Sequence, residues 1–436
     1  MLQSASRSDA PGRARAIDRG AGQQAAAASP EWRRPGAAGV LAFVAALVLL
    51  AATPSASSSA GANLPKAPPV RGTGIGVVRF DFNLPKTWLT RQFSYVIVGP
   101  SEVDRVKRFR GLALFYKAAM SLDTQCASSD KCPTGVTYRE AISNGWVLKS
   151  SSGMEIARGV DRLGDVGDRG FQDRWLKNVG RFLKVHHARG VFIDEASANV
   201  DLWTRGVFPA KYPTNHDWEN AMARFISYVG PRLKKQGFYV LLSTLKYIAG
   251  DPSTEDGTLD IKWWHRIGKD VSGLCREWWQ QNPNPPYGPY TNNPGKWTGH
   301  WLGWLRLATA AQSMRRDFFG IQWGNSSDLP LLRYGRASFL LVWNGRGGAY
   351  MFAARDRVDP TSTDWAVDVG QPRGRRQKMG VGWKRKFSRG IVVLNPSEAT
   401  AQRFALGGRY QVPGAEPVTA VTVPPVSALI LRRTRP

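Results

Sequence analysis

The sequence predicts an α/β fold: a (βα)8 TIM barrel followed by a small C-terminal antiparallel β-domain. Short apolar β-type runs alternate with amphipathic helical segments, which favours a parallel sheet with crossover helices. The β-type runs number about eight, the count that closes a barrel. After about residue 365 the helical period disappears and only short β-runs remain. An open doubly wound sheet is the main alternative to the barrel.

The chain of 436 residues divides into three predicted parts. Residues 1–72 form a leader with a signal peptide or anchor and a linker, residues 73–365 the barrel, and residues 366–436 the β-domain. In the first part Arg33 and Arg34 precede an apolar stretch at 37–52, and small residues follow, which is the order of a signal peptide. An uncleaved membrane anchor is the alternative to a cleaved signal peptide. We therefore expect export: secretion, a periplasmic location, or anchoring to the outer face of the membrane.

The predicted barrel strands are short runs of aliphatic and aromatic residues. They are residues 95–98, 112–116, 191–193, 238–242, 271–275, 318–321 and 339–342. A further strand is expected near 146–148 or 156–163. Apolar residues at helical spacing predict helices near 171–182, 218–233 and 297–308, with their aromatic side chains facing the core.

The C-terminal β-domain is predicted from four short β-runs separated by Asn-Pro, Gly-Gly and Pro-Pro pairs. They are residues 391–394, 403–406, 418–423 and 428–431. The densest basic stretch of the chain, residues 373–389, contains eight Lys or Arg and no acidic residue. Because it falls between the two predicted domains, we interpret it as a surface connector.

The formal net charge of +27 points to a polyanion as one class of partner: nucleic acid, anionic lipid or acidic polysaccharide. No nucleic-acid-binding motif accompanies the charge, so we favour a solvated basic surface. We expect no specific nucleic acid as a partner, and membrane contact only through an N-terminal anchor.

In an exported protein Cys126 and Cys132 could form a local disulfide, leaving Cys275 as a buried thiol. No His or third Cys lies near the pair at ligand spacing, so we expect no metal or other cofactor.

The strongest functional signal is the pair Asp194 and Glu195. An amphipathic helix precedes a short apolar strand, and the two carboxylates stand at the carboxyl end of that strand. In a barrel this end faces the active site. Burying an acid costs several kcal/mol unless it has a partner or a task. The alternative is a strand-end acid that caps the next turn. Since side chains alternate along a strand, only one of the two can point straight into the cleft; we choose Asp194 and keep Glu195 in reserve.

A second short strand ends in Glu277, and Trp278 and Trp279 begin an aromatic, amide-rich loop that reaches residue 290. Indole faces and amides suit sugar rings and hydroxyls. The chain contains 17 Trp. Glu277 alone could simply pair with an arginine. Together with Asp194 it is more specific, because glycoside hydrolysis generally uses two carboxylates across the bond.

Further candidates for catalysis or substrate binding stand at other predicted strand ends, and each could equally be structural. They are Asp165, Tyr116, Lys117, Ser243, Lys246, Trp323, Asn325, Trp343 and Asn344. The chain lacks a zinc-protease motif, a nucleophile elbow and a phosphate-binding lysine loop.

The chain resembles hypothetical glycoside hydrolase family fifteen over residues 93–432. The order of several short pieces carries the resemblance: 95–98, 146–148, 165–167, 190–194, 370–372, 387–396 and 421–427. The resemblance implies a barrel related to α-galactosidase-like enzymes, which place a nucleophilic acid after the fourth strand and an acid/base after the sixth. These positions correspond to Asp194 and Glu277. The resemblance implies no particular substrate.

These observations predict a glycoside hydrolase that acts on an extracellular or envelope polysaccharide or oligosaccharide through two carboxylates. The alternatives are a sugar-binding barrel without catalysis and a polyanion-binding surface protein. Binding without turnover, unaffected by neutralising Asp194 or Glu277, would favour the second. A steep loss of binding with salt would favour the third.

Overall fold

The structure, a computed structural model, describes residues 75–79, 93–128, 130–246, 257–281, 289–291, 301–354, 366–412 and 415–434. The predicted leader, the apolar stretch at 37–52, most of the aromatic loop that begins at Trp278, and the predicted boundary at 365 lie outside these residues. In the part of the chain that is described, no helix is both long and apolar enough to cross a membrane.

The strands, in chain order, are β1 (Ile75–Arg79), β2 (Tyr95–Val98), β3 (Leu112–Ala118), β4 (Ser121–Asp123), β5 (Ala157–Arg158), β6 (Asp161–Leu163), β7 (Gly190–Asp194), β8 (Tyr239–Ser243), β9 (Gly273–Glu277), β10 (Asp317–Gly324), β11 (Ala349–Ala354), β12 (Pro372–Met379), β13 (Gly382–Phe387), β14 (Gly390–Asn395), β15 (Gln402–Gln411), β16 (Val418–Val423) and β17 (Ser427–Arg433). The α-helices are α1 (Val103–Val106), α2 (Tyr138–Ser143), α3 (Arg169–Val185), α4 (Asp201–Thr204), α5 (Asn215–Lys235), α6 (Thr258–Ile267), α7 (Trp301–Ser313) and α8 (Leu329–Val342).

Eight parallel strands of the described residues close the predicted barrel. Around the barrel they follow chain order, β1, β2, β3, β7, β8, β9, β10 and β11, and β11 pairs with β1. Because side chains alternate along each strand, one set points inward and the other faces the helices. The inward set forms an apolar cluster that fills the barrel: Tyr95, Ile97, Leu112, Leu114, Phe192, Leu241, Cys275, Phe319, Ile321, Ala349, Met351 and Ala353.

The long helices begin where the sequence supplies a capping side chain. Asp168 accepts a hydrogen bond from the Phe171 N–H at the start of α3, and Thr214 accepts one from the Asp217 N–H at the start of α5. Such caps satisfy N–H groups that a helix leaves unpaired. The apolar stripes that predicted these helices, including Trp175 in α3, face the barrel as expected.

The strand predicted at 339–342 is wrong: these residues form the last turn of α8. An apolar run of this length fits a buried helix as well as a strand, and α8 is buried on nearly all sides because the barrel and the C-terminal sheet cover it. The eighth barrel strand is β11, and β1 supplies the first.

Residues 119–128 and 130–168 lie between β3 and α3, in a segment that we call the excursion. The strand expected at 146–148 or 156–163 falls in the excursion and does not belong to the barrel. Here β4, β6 and β5 make a small antiparallel sheet. Cys126 and Cys132 are disulfide-bonded, with Cα atoms 5.6 Å apart, and Cys275 is a buried free thiol inside the barrel, as predicted.

The predicted C-terminal antiparallel sheet is present, with strand order β12-β13-β14-β17-β15-β16. One face, including Val392 and Ile430, joins the main core, and the opposite face has an apolar core of its own. The basic stretch at 373–389 is not a connector. It forms the β12–β13 hairpin of this sheet, because Trp383, Arg385 and Phe387 alternate toward the barrel side and supply the burial that a strand needs.

Candidate functional site

Asp194 and Glu277 are the last residues of β7 and β9, the fourth and sixth strands around the barrel. Two residues before them, Phe192 and Cys275 lie in the inward apolar cluster. Strand alternation therefore directs both carboxyl groups inward. They stand at the carboxyl-terminal end of the barrel, which we call the mouth, where barrel enzymes carry their active sites.

The Asp194 carboxyl group accepts hydrogen bonds from the side chains of Tyr116 and Ser243 and from the Glu195 backbone N–H. Tyr116 lies on β3 and Ser243 on β8, so the two strands that flank β7 both supply a donor. Burial raises the pKa of Asp194, and the three hydrogen bonds oppose the rise because they favour the ionised form.

Glu195 turns away from the barrel axis. It follows the last residue of β7, and its backbone lies in the left-handed region, with φ of 53°. Its carboxylate accepts hydrogen bonds from the Ser121 hydroxyl and, at 3.4 Å, from the Trp203 indole N–H. Burial, followed by the neighbouring Asp194 charge, raises the pKa of Glu195 to about 7.

Glu277 receives one side-chain hydrogen bond, from Trp323, whereas Asp194 receives two, from Tyr116 and Ser243. Burial and the Asp194 charge raise the pKa of Glu277 well above its ordinary value, while the Arg276 charge and a hydrogen bond with the Trp323 side chain act in the opposite direction. Burial, followed by the charges of Asp194, Glu195 and Glu277, raises the pKa of Tyr116, so all three carboxyl groups act on one tyrosine.

An aromatic pair stands next to Glu277. The ring centroids of Trp278 and Trp323 lie 6.1 Å apart at an angle of 32°, and both side chains are partly exposed. Trp278 has a φ of 56°, which ends the alternation of β9. The Trp323 side chain packs against the inward cluster below it. Two indole faces thus border the mouth beside the half-buried Glu277.

Lys117 and Trp279, both predicted site residues, face away from the mouth. Lys117 is buried against the Phe182 ring and donates from Nζ to the Cys132 carbonyl at 2.6 Å. Burial lowers the pKa of Lys117 to about 7. Trp279 is buried under α8 and donates from Nε1 to the Gly335 carbonyl at 2.9 Å. Side chains alternate along β3, and Tyr116 points into the barrel, so its neighbour Lys117 points outward.

Trp343 and Asn344 follow the end of α8 and precede β11, so they lie at the barrel end opposite the mouth. Trp343 is buried and donates to the Gly347 carbonyl at 3.1 Å. The prediction that Trp343 and Asn344 lie at the mouth depended on the strand predicted at 339–342.

Asp165 belongs to the excursion, where its two carboxylate oxygens accept hydrogen bonds from Tyr212 and Lys211 at 2.5 Å each. These contacts give Asp165 a structural task.

No sequence pattern pointed to Ser121, Trp203 or Arg158 as site residues. Ser121 and Trp203 hold Glu195, and the charge of Arg158 lowers the pKa of both Asp194 and Glu195. All three come from segments that fold back over the mouth: β4, α4 and β5. Among the described residues no group of three His, Cys, Asp or Glu side chains could hold a metal ion.

The model of hypothetical glycosyl hydrolase family 15 matches residues 113–391 of this chain. Among curated proteins no match is found. Solved structures similar to this one include a noncanonic maltogenic α-amylase from Thermotoga neapolitana (8% identity, TM-score 0.46, 84% of this chain and 100% of the other). An α-amylase from Malbranchea cinnamomea is similar at 10% identity and a TM-score of 0.45, over 83% of this chain and 96% of the other.

Proposed function

The chain belongs to hypothetical glycosyl hydrolase family 15, and on that premise we propose that it hydrolyses O-glycosyl bonds, with Asp194 as the nucleophile and Glu277 as the proton donor. One observation carries the proposal: two inward carboxyl groups at the mouth have unlike surroundings. Three hydrogen-bond donors stabilise the ionised form of Asp194, whereas burial and a neighbouring negative charge favour the protonated form of Glu277.

Glycosidase chemistry requires one ionised carboxylate as nucleophile and one protonated carboxyl group as acid, and the unlike surroundings of Asp194 and Glu277 supply one of each. The proton on Glu277 passes to the glycosidic oxygen as the bond to the anomeric carbon breaks. The Asp194 carboxylate attacks the same carbon and forms a glycosyl ester, and the sugar that was bonded through the glycosidic oxygen leaves as an alcohol. Glu277, now ionised, takes a proton from water, whose oxygen displaces Asp194. Both carboxyl groups return to their starting states.

Tyr116 and Ser243 are the positioning groups in this mechanism. Both hydrogen-bond to Asp194, so they fix the direction of its free lone pairs and limit its basicity. Trp278 and Trp323 offer apolar faces on which a sugar ring can stack beside Glu277. The signal-like order of the N-terminal sequence supports export, and we therefore propose an extracellular or envelope polysaccharide, or oligosaccharides derived from it, as the substrate class.

The test is hydrolysis of a panel of aryl glycosides by the full chain and by three variants. We expect Asp194→Asn and Glu277→Ala to lose at least about a thousandfold in kcat/KM on the substrate that the parent cleaves best, because each removes a group that acts in the transition state. The matched control is Asp317→Asn. Asp317 is also a barrel carboxyl whose pKa burial raises, but it stands at the opposite end and accepts from the Tyr239 hydroxyl at 2.6 Å.

Azide rescue separates the two roles. With an activated aryl leaving group, Glu277→Ala plus azide should give a glycosyl azide of retained anomeric configuration, because azide then attacks the ester on Asp194. Asp194→Ala plus azide should give the inverted product, because azide replaces the nucleophile. An Asp194→Asn protein that folds and keeps full activity would overturn the assignment. Sugar binding that persists in both variants, with no turnover by the parent, would favour a non-catalytic carbohydrate-binding barrel.

A further inference from the structure

The β12–β13 hairpin carries an exposed basic strip that no part of the proposed mechanism uses. Its members are Arg373, Arg375, Lys378 and Lys386, all exposed. None of the four forms an ion pair among the described residues. Across residues 366–412 and 415–434 there are twelve Lys or Arg and three acids, so the strip lies in a strongly positive part of the chain.

The strip places like charges against one another. Arg373 on β12 is the register partner of Lys386 on β13, and β12 is an edge strand of its sheet. Like charges directly opposite each other destabilise an antiparallel pair. The acid closest in sequence to the hairpin, Asp368, is paired with Arg389 through a short salt bridge. A bound polyanion would remove the repulsion.

The strip runs toward the mouth. The last residues of β12 include Lys378, which is the register partner of Trp383 and so leaves this edge strand on the barrel side, whereas Arg373 and Lys386 leave the hairpin on the opposite face. The strip therefore follows the exposed edge of the sheet. The Trp383 ring lies 6.1 Å from that of Trp301, and Trp301 begins α7, the helix that starts at the mouth end of the barrel. Because β12 has an irregularity between Arg373 and Gln377, its eight residues run alongside six residues of β13, a length of about 20 Å. This length suits an extended polymer better than a small anion.

We propose that the β12–β13 hairpin binds an acidic polysaccharide, such as a polyuronate, and guides the chain toward the mouth. The inference rests on the proposed function, since it assigns a charge class to the same substrate. Two alternatives fit the surface less well. Base stacking on single-stranded nucleic acid needs exposed aromatics, and none of the exposed large apolar side chains in the described residues is aromatic. A membrane would need an apolar wedge, and the hairpin exposes only Val381.

The test measures binding of the full chain to polygalacturonate, with neutral dextran and a single-stranded oligonucleotide as comparison probes. The hairpin variant replaces four residues: Arg373→Gln, Arg375→Gln, Lys378→Gln and Lys386→Gln. The control variant removes the same charge from exposed positions on the barrel: Arg108→Gln, Lys177→Gln, Lys184→Gln and Lys235→Gln.

We expect the hairpin variant to lose about tenfold or more in affinity for polygalacturonate at low salt and to depend less steeply on salt, because fewer counterions are released. The control variant should bind as the parent does. Turnover of a neutral aryl glycoside should be the same in all three proteins. Turnover of the neutral glycoside tests the proposed function separately. If the parent does not turn it over, the proposed function fails, while the binding measurement still tests the hairpin.

Three results would overturn the inference: no binding of polygalacturonate by the parent, an equal loss of affinity in the hairpin and control variants, or tighter binding of the oligonucleotide than of polygalacturonate at the same salt. The second would mean that net charge alone attracts the polymer. The third would assign the strip to nucleic acid.

Discussion

Tyr116 hydrogen-bonds to Asp194 although the two residues are not register partners. On β3 the residue opposite Asp194 is Ala118, and Tyr116 lies opposite Phe192. The long phenol side chain therefore reaches from the level of Phe192 to the carboxyl group two residues further along β7, at the mouth. Tyr116 stays protonated, since desolvation and the charges of the three carboxyl groups raise its pKa, and so it acts as a donor to Asp194.

Removing this donor should slow the reaction. We expect Tyr116→Phe to lower kcat/KM roughly ten- to a hundredfold, since a hydrogen bond to a charged group contributes about 1.5–3 kcal/mol. The hydrogen bond lowers the pKa of Asp194, so its loss should raise that pKa and move the acidic limb of the pH–rate profile to higher pH. The control is Tyr334→Phe, which removes a buried hydroxyl that donates to the Tyr290 carbonyl. An acidic limb that stays in place in Tyr116→Phe would contradict the prediction.

The charge of Asp194 should control the ionisation of Glu277. Burial raises the pKa of Glu277 most, and Asp194 raises it further because two negative charges close together repel. In Asp194→Asn this repulsion is gone, and we expect the pKa of Glu277 to fall. The measurement is an NMR titration of the protein with ¹³C-labelled glutamate side chains. Asp317→Asn, at the other end of the barrel, should leave the Glu277 titration unchanged. An unchanged Glu277 pKa in Asp194→Asn would mean that the two groups are not electrostatically linked.

Glu195 should make the protein less stable at alkaline pH. Its pKa of about 7 in the fold lies above the ordinary value of 4.5, so the folded state binds more protons than the unfolded state between these two values. Stability therefore falls as the pH rises through this window. Glu195→Gln should be more stable than the parent at pH 8 by up to about 3 kcal/mol and should lose most of this advantage near pH 4. Urea unfolding at the two pH values checks this, and a difference independent of pH would count against it.

Arg385 should be required for the attachment of the C-terminal sheet to the barrel. Its Nη1 donates to the carbonyls of Leu340 and Trp343 at 2.8 and 2.7 Å, and its Nε to the Gly374 carbonyl at 3.1 Å. The two former carbonyls belong to the end of α8, where a helix leaves such groups unpaired.

Arg385→Met keeps much of the side-chain bulk but leaves these carbonyls without their donor. We expect the free energy of unfolding to fall by about 2–4 kcal/mol. The control is Arg403→Met at an exposed position of β15, where the change should stay within about 0.5 kcal/mol. Equal stability of the two variants in urea would show that Arg385 does not hold the sheet in place.

The sequence by itself determined the barrel strands that carry the carboxyl groups. A short apolar strand that ends in an acid places that acid at the mouth, whatever the neighbours are, because all parallel strands end at the same side. Asp194 and Glu277 could therefore be selected from local pattern alone. The helices before β7 and β8 were equally readable, since their apolar residues repeat with the helical period.

Only the tertiary structure decided the features that depend on contacts between residues distant in the sequence. The apolar residues 339–342 predict a strand because the pattern shows only that a segment is buried, and a buried helix has the same pattern. The segment is helical because it packs between the C-terminal sheet and the barrel. Ser121 and Trp203 reach Glu195 only because distant segments fold over the mouth. The left-handed turn at Trp278 sends Trp278 toward the mouth and Trp279 into the core. Neighbouring residues thus take opposite faces, because backbone geometry and strand pairing, which no local pattern encodes, set the direction of each side chain.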